Sequence, residues 1–278
     1  MRKLPFCQID VFSAVPFKGN PLAVIAEADG LDDAEMQAIA NWTNLSETTF
    51  LSRPRNAAAD YHVRIFTPVR ELPFAGHPTL GSCHAWLALG NKPKGDTIVQ
   101  ECAAGLVRIK RDGARLAFAA PPRIRSGDVD PDLQGRIAAS LGLGRDAIKA
   151  AQWVDNGPGW VAVLLGSRAE LLSLKQNYSL LPGQSLGVVA PWEPARDGTE
   201  AQFELRAFMG RGNEDPVTGS LNASVAQWLI GAGIAKPRYV ASQGTAIGRA
   251  GRVHVAQEGD TIWIGGDVAD VIAGTITL

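Results

Sequence analysis

One stretch constrains the fold of this chain more than any other: Glu71-Leu72-Pro73-Phe74-Ala75-Gly76-His77-Pro78-Thr79-Leu80-Gly81-Ser82. It lies between the alternating run Tyr61-His62-Val63-Arg64-Ile65-Phe66 and the apolar run over residues 80–89. A strand must therefore pass through a loop punctuated by prolines and glycines into a helix that opens near His77 and Pro78. The first turn of such a helix presents backbone N–H groups to whatever sits in front of it. The second half of the chain repeats the layout. A strand over residues 203–208 leads into Gly210-Arg211-Gly212-Asn213-Glu214-Asp215-Pro216-Val217-Thr218-Gly219-Ser220, and a helix over 221–230 follows. Two similar halves are expected, each aiming a loop and a helix N-terminus into one shared cleft.

Composition narrows the function. With 46% hydrophobic residues and a net charge of −1 over 278 residues, the chain can bury a substantial core and lacks the composition of disorder. The balanced charge argues against nucleic acid as a partner, which wants a basic face. No stretch approaches the roughly 18 consecutive apolar residues of a membrane span. The opening residues turn polar at Gln8 and Asp10 before a signal core could form, so a cytoplasmic protein is expected. Three widely spaced cysteines, Cys7, Cys83 and Cys102, suit reduced thiols.

Along the chain, strands are expected over residues 6–11 and 22–25, separated by Pro16-Phe17-Lys18-Gly19-Asn20-Pro21. Asp32 and Glu35 form a capping box for a helix over 33–42, with Met36, Ile39 and Ala40 on its inner face. A β-meander over 97–101, 105–111 and 115–119 ends at Pro121-Pro122-Arg123, the best linker in the sequence, with Ser126-Gly127-Asp128 just beyond it. A helix over 130–141 and strands over 160–165, 186–190 and 203–208 follow, and a final hairpin spans 252–256 and 261–264.

Glu47 stands out in Asn44-Leu45-Ser46-Glu47-Thr48-Thr49-Phe50-Leu51. Read as part of a strand, it shares a face with Thr49 and Leu51, which is odd for a surface acid. It is either the solvated edge of a helix-to-strand turn or a partly buried acid able to take and return a proton. His77, at a helix start, feels the positive end of the dipole and should stay neutral. His62 reads as a half-exposed core edge without a role, His84 and Cys83 read as packing residues, and no set of ligands at metal spacing is visible. Neither nucleotide-binding glycine pattern nor a Gly-x-Ser-x-Gly elbow occurs. A small carboxylate-bearing substrate suits the two helix N-termini, whose donors would also stabilise enolate-like charge. The Gly/Arg segment 244–252 is either a solvated turn or a flap closing over that anion.

Together, the motifs at 16–21, 44–50, 66–79 and 214–220 resemble the PhzF family of phenazine-biosynthesis-like proteins, in order and over essentially the whole chain. The resemblance implies an α+β fold of two pseudo-symmetric domains, each a curved, mostly antiparallel sheet around a central helix, as in diaminopimelate epimerase. It implies domains at 1–120 and 121–269, a terminal strand at about 270–278 that returns to the first, central helices at 78–89 and 221–230, and a homodimer. In the family's characterised isomerase, a glutamate moves a proton between carbons of a dihydro-hydroxyanthranilate without metal or organic cofactor. Carried onto this chain, that acid is Glu47, while His77, Asp215 and Ser220, with Gly76 and Gly219, match positions that hold and polarise substrate. Related epimerases use two opposed cysteines, and neither Cys83 nor Cys102 stands at a corresponding position. Two other functions fit the same residues: an amino- or imino-acid epimerase with Glu47 and Asp215 as opposed acids, and a metabolite-binding protein without turnover.

Overall fold

The structure is a computed structural model and describes residues 2–278. The chain divides into two compact units, one made of residues up to Ala119 with Gly265–Leu278, the other of Ala120–Ile264. In the first unit, β1 (Lys3–Val11) pairs antiparallel with β2 (Asn20–Ile25), and α1 (Asp33–Thr43) carries the chain to β3 (Thr48–Ser52), parallel to β2. Next, β4 (Tyr61–Phe66) returns antiparallel to β3, and the short β5 (Glu71–Leu72) folds back on it. After α2 (Gly76–Ala88), β6 (Ile98–Cys102) lies parallel to β4, and β7 (Gly105–Asp112) and β8 (Arg115–Ala119) extend it antiparallel.

The second unit begins with β9 (Arg125–Asp128) and α3 (Pro131–Leu141), followed by β10 (Ala150–Asp155), which pairs antiparallel with both β9 and β11 (Trp160–Leu164). After α4 (Arg168–Ser173), β12 (Ser185–Pro191) runs parallel to β11. Past α5 (Pro194–Asp197), β13 (Phe203–Met209) pairs antiparallel with β12 and with the short β14 (Asn213–Asp215). Then come α6 (Gly219–Gly231), β15 (Arg238–Gln243) parallel to β13, β16 (Gly251–Glu258) antiparallel to β15, and β17 (Thr261–Gly266). The pairings of β1 through β7 thus recur in β10 through β16. The last strand, β18 (Val268–Thr277), belongs to the first unit and lies along β1 from Lys3–Thr277 to Val11–Val268, with one register shift at Gln8/Ile9.

Several local expectations are met for the reasons given by the residues. Asp32 and Glu35 form the capping box, Met36, Ile39 and Ala40 are buried, and Asn44 ends α1 in the left-handed conformation at φ 54°. Others shift. Both central helices open two residues earlier than expected, at Gly76 and Gly219. Pro78 is tolerated as the third helical residue because its missing N–H belongs to the turn that has no intrahelical partner anyway. The segment after Pro121-Pro122-Arg123 is not a bare linker, since Arg125–Asp128 pairs with β10 despite lacking any alternation of its own. The return to the first unit starts at Gly265, before the expected 270.

The central helices are buried along most of their length because each is enclosed by its sheet. Every residue of α2 from Gly76 to Cys83 is buried. A Cβ at Gly81 would stand 2.5 Å from a methyl of Leu22 and 3.0 Å from methyls of Ile9 and Val11, so α2 sits directly on β1 and β2. In the second unit the same closeness arises between Leu221 of α6 and Gly187 of β12, where a Cβ would meet Leu221 at 2.5 Å. Among the described residues no helix is long and apolar enough to cross a membrane.

Candidate active site

The first cluster of candidate residues lies in the first unit. The chain leaves α1 through Asn44 and reaches Glu47 immediately before β3. Glu47 is therefore not a member of the strand, as alternation suggested, but its side chain is only 14% exposed, which disposes of the solvated-edge reading. Its Oε2 lies 3.4 Å from Nε2 of His77, the second residue of α2. The two groups approach without a hydrogen bond, since His77 Nε2 is buried and has no hydrogen-bond partner among the described residues. On the other side of the ring, Nδ1 meets the side-chain nitrogen of the fully buried Asn20 at 3.3 Å. With that amide donating to Nδ1, the ring hydrogen sits on Nε2, on the side of Glu47.

Asn20 is delivered by the loop between β1 and β2. The buried Asp10 accepts the N–H of Gly19 at 2.8 Å, and a Cβ on Gly19 would lie 2.2 Å from the carbonyl oxygen of Val11. Only glycine fits that approach, which gives the Gly-Asn-Pro motif its physical reason. His77 is 4% exposed, and burial pushes its pKa down to about 3. The expected neutrality therefore holds, with desolvation rather than the helix dipole as the dominant cause. No side chain caps α2, so the N–H groups of Gly76 and His77, like Nε2, remain donors for a ligand.

Neighbouring polar groups of this unit are structural. Glu71 holds Arg64 through bonds of 2.7 and 2.6 Å, and Arg64 also reaches Asp33 at 2.6 Å. His62 is buried rather than half-exposed, bonded to Ser52 at 3.0 Å, and burial lowers its pKa. His84 contacts Asp270 of β18 at 3.0 Å, so it ties the terminal strand to α2 rather than packing as an apolar group. All three cysteines are free, and burial pushes the Cys83 thiol up to about 12 and that of Cys7 to about 11. No group of three His, Cys, Asp or Glu side chains suited to a metal ion occurs among the described residues.

The second cluster lies in the second unit. Asp215 ends β14 with 7% exposure, and its Oδ2 accepts the Thr218 hydroxyl at 2.5 Å. The loop from Asp215 to Thr218 is held by Gln243, which is fully buried. Gln243 Oε1 accepts from the Thr218 N–H at 3.0 Å and from Asn222 at 2.8 Å, and its Nε2 donates to the Asp215 carbonyl at 3.1 Å and to Thr218 Oγ1 at 2.9 Å. The 244–252 segment wraps the same loop. A Cβ on Gly244 would lie 2.7 Å from the Pro216 carbonyl, and one on Gly251 would lie 2.4 Å from Val217. This segment packs against the Asp215 loop, and residues 246–248 at its tip are exposed.

Gly219 opens α6, which also lacks a side-chain cap. Ser220 follows, and two residues reach it, Asn156 from the turn before β11 and Trp160, the first residue of β11. Trp160 Nε1 donates to Ser220 Oγ at 3.1 Å, and Asn156 Nδ2 donates to the Ser220 carbonyl at 2.9 Å. Asp155 Oδ1 fixes that turn by accepting the N–H groups of Gly157, Gly159 and Trp160 at 2.8, 2.6 and 3.3 Å. The structure thus brings Glu47 to His77 in one unit, and in the other it ties Asp215 to Thr218, the residue before Gly219 and Ser220. Sequence reasoning missed Asn20, Gln243, Asn156 and Trp160. Only Asn20 carried a signal, in its Gly-Asn-Pro loop.

Residues 9–274 match the PhzC-PhzF family, described as phenazine biosynthesis-like protein. The chain belongs to the PhzF family. It is an enzyme of the isomerase class, with close relatives that carry that name. One PhzF relative, from Pseudomonas aeruginosa, is named trans-2,3-dihydro-3-hydroxyanthranilate isomerase and is 33% identical over 266 residues, 90% of this chain and 89% of that one. A Schizosaccharomyces pombe protein named Antisense-enhancing sequence 1 is 35% identical over 298 residues and covers 99% of both chains. The PhzF-family crystal structure from Bacillus anthracis superposes with a TM-score of 0.85 over 100% of both chains at 22% identity, which establishes the shared fold.

Proposed function

We propose that this PhzF-family isomerase moves a proton between carbons of a small cyclic or amino carboxylic acid, in the manner of a trans-2,3-dihydro-3-hydroxyanthranilate isomerase, with Glu47 as base and then acid. The observation that carries the reading is the largely buried Glu47 carboxylate 3.4 Å from Nε2 of a buried, neutral His77 at the mouth of α2. A carboxylate can remove a proton from a C–H bond only if the charge left on the substrate is stabilised as it forms. His77 Nε2–H and the uncapped N–H groups of Gly76 and His77 are donors suited to that enolate-like charge. The same carboxylic acid then returns the proton to a second carbon on the same face. Low solvent access slows exchange of that proton with bulk water without abolishing it, the side chain being 14% exposed, so most protons are delivered while solvent deuterium enters in a fraction of turnovers. Asp215, Gly219 and Ser220 are assigned to holding the substrate, and no organic cofactor or metal is required by this route.

The test is exchange of solvent deuterium into trans-2,3-dihydro-3-hydroxyanthranilate. Wild-type protein is expected to isomerise the compound, and Glu47→Gln to lower the rate by about 10²–10⁴, the usual worth of a positioned base. The amide is nearly isosteric, so the thermal midpoint should stay close to that of wild type. A Glu47→Gln protein that exchanges deuterium at the wild-type rate rules Glu47 out as the proton carrier.

A further inference from the structure

Two fully buried hydroxyls of the first unit have no part in the proton-transfer step, Thr49 of β3 and Ser82 of α2. Ser82 Oγ donates to Thr49 Oγ1 at 2.9 Å, and Thr49 Oγ1 donates onward to the Ala23 carbonyl of β2 at 3.5 Å. A serine inside a helix commonly turns its hydroxyl back to the carbonyl one turn earlier. Ser82 instead directs its single hydrogen to the neighbouring strand. The packing beside it is apolar, with Gly81 against Leu22, Ile9 and Val11, and apolar contact is non-directional. A hydrogen bond prefers one distance and one direction, so the hydroxyl pair is the contact that favours a single register of helix against strand.

The bond gains its meaning from what stands at the other end of the same two segments. Glu47 precedes Thr49 by two residues, and His77 precedes Ser82 by five. Two residues of extended chain span about 7 Å and five of helix about 7.5 Å. The Ser82–Thr49 bond and the 3.4 Å approach of Glu47 to His77 therefore close the two ends of one frame with sides of nearly equal length. Sliding α2 by one residue would carry His77 about 1.5 Å along the helix axis and turn it by about 100°. Both side chains are enclosed, so neither can absorb such a slip by swinging into solvent. Thr48, between Glu47 and Thr49, is tied the other way, its Oγ1 lying 2.7 Å from that of Thr43 at the end of α1. The strand that begins after Glu47 is thus anchored to both helices within its first two residues.

We propose that Thr49 and Ser82 are a positioning pair, whose buried hydrogen bond fixes the register between β3 and α2 on which the approach of Glu47 to His77 depends. The proposal rests on the reading of Glu47 as proton carrier given above, and it adds two residues that act only through their hold on Glu47 and His77.

Thr49→Val and Ser82→Ala test it. Neither strands a buried hydroxyl, since Ser82 without Thr49 Oγ1 can turn to the carbonyl one turn back, and Thr49 without Ser82 keeps Ala23. With trans-2,3-dihydro-3-hydroxyanthranilate as substrate, each variant is expected to lower kcat about tenfold while KM changes by less than about twofold. The double variant should be no slower than the slower single one, and Thr49→Ser, which keeps the hydroxyl, should return to within about twofold of the wild-type rate. In long-range ¹H–¹⁵N spectra, the imidazole resonances of His77, identified by their loss in His77→Gln, should shift in Thr49→Val and Ser82→Ala and return in Thr49→Ser. A pair that only stabilises the fold would lower the unfolding midpoint and leave both kcat and the His77 resonances of the folded variants at wild-type values, and that result overturns the proposal. So does a Thr49→Ser protein as slow as Thr49→Val. If the wild-type protein does not turn the compound over, the isomerase reading fails on its own, and the spectra then decide: unmoved His77 resonances overturn the positioning role, and shifted ones that Thr49→Ser restores support it.

Discussion

Replacing His77 with glutamine removes one titrating group from the interior, and the pH dependence of stability should change by an amount set by its burial. In the folded protein desolvation holds the imidazole pKa down to about 3, against 6.5 for the exposed ring. Between those values the unfolded chain binds a proton that the folded chain refuses. Stability therefore rises with pH in this window and is lost as pH falls below 6.5. One proton corresponds to 1.36 kcal/mol per pH unit at full slope. At pH 6.5 half of the unfolded chains are already protonated at this site, so the loss from pH 6.5 to 4.5 attributable to His77 is about 2 kcal/mol. The assay is urea unfolding of wild type and His77→Gln at pH 6.5, 5.5 and 4.5. Titration of the carboxylates is common to both proteins and cancels in the difference. The wild-type protein should lose about 2 kcal/mol more than the variant across the series. The competing arrangement is an imidazolium paired with Glu47 at 3.4 Å. It would raise the folded pKa above 6.5 and make the wild type gain stability relative to the variant on acidification. Equal slopes, or a difference of that opposite sign, would refute the desolvated neutral ring.

Three further outcomes are expected from the packing. Gln243→Leu keeps the volume but strands the Thr218 N–H, the Asn222 amide and the Asp215 carbonyl, and it should cost about 2–4 kcal/mol in denaturant unfolding, from the usual penalty of buried unpaired groups. Gly81→Ala pushes a methyl into Leu22, Ile9 and Val11 and should destabilise by about 1–3 kcal/mol, whereas alanine's better helix propensity would predict a gain. Arg206→Met leaves Glu214, 9% exposed and bound to Arg206 at 2.7 Å, without its guanidinium, and a loss of about 3–5 kcal/mol should follow in the same measurement.

Wherever the relevant forces act between near neighbours in the chain, the sequence alone determined the structure. The capping box at Asp32 and Glu35, the end of α1 at Asn44, the alternation of β4 and the two loop-to-helix passages into α2 and α6 depend on residues a few positions apart, and each lies within two residues of its expected place. The spacing of those passages also disclosed that the chain is built twice, and the motifs at Glu47, His77 and Asp215 to Ser220 pointed to the family. Partnership between distant segments was not legible. Nothing in the residues of Val268–Thr277 themselves says that they will lie along Lys3–Val11, although the family resemblance implied that the terminal strand returns to the first domain, and nothing in Arg125–Asp128 announces a strand until β10 supplies its ladder. The same limit governs the candidate site. The sequence offered a glutamate, a histidine and a serine, but their chemistry is set by groups that only folding brings to them. Asn20 fixes which nitrogen of His77 carries the hydrogen, and burial decides that the ring stays neutral. Trp160 occupies one of the two acceptor lone pairs of the Ser220 hydroxyl. Residue type fixes what a side chain can donate or accept, while the tertiary neighbours and the loss of water around it determine which of those capacities remains for a ligand.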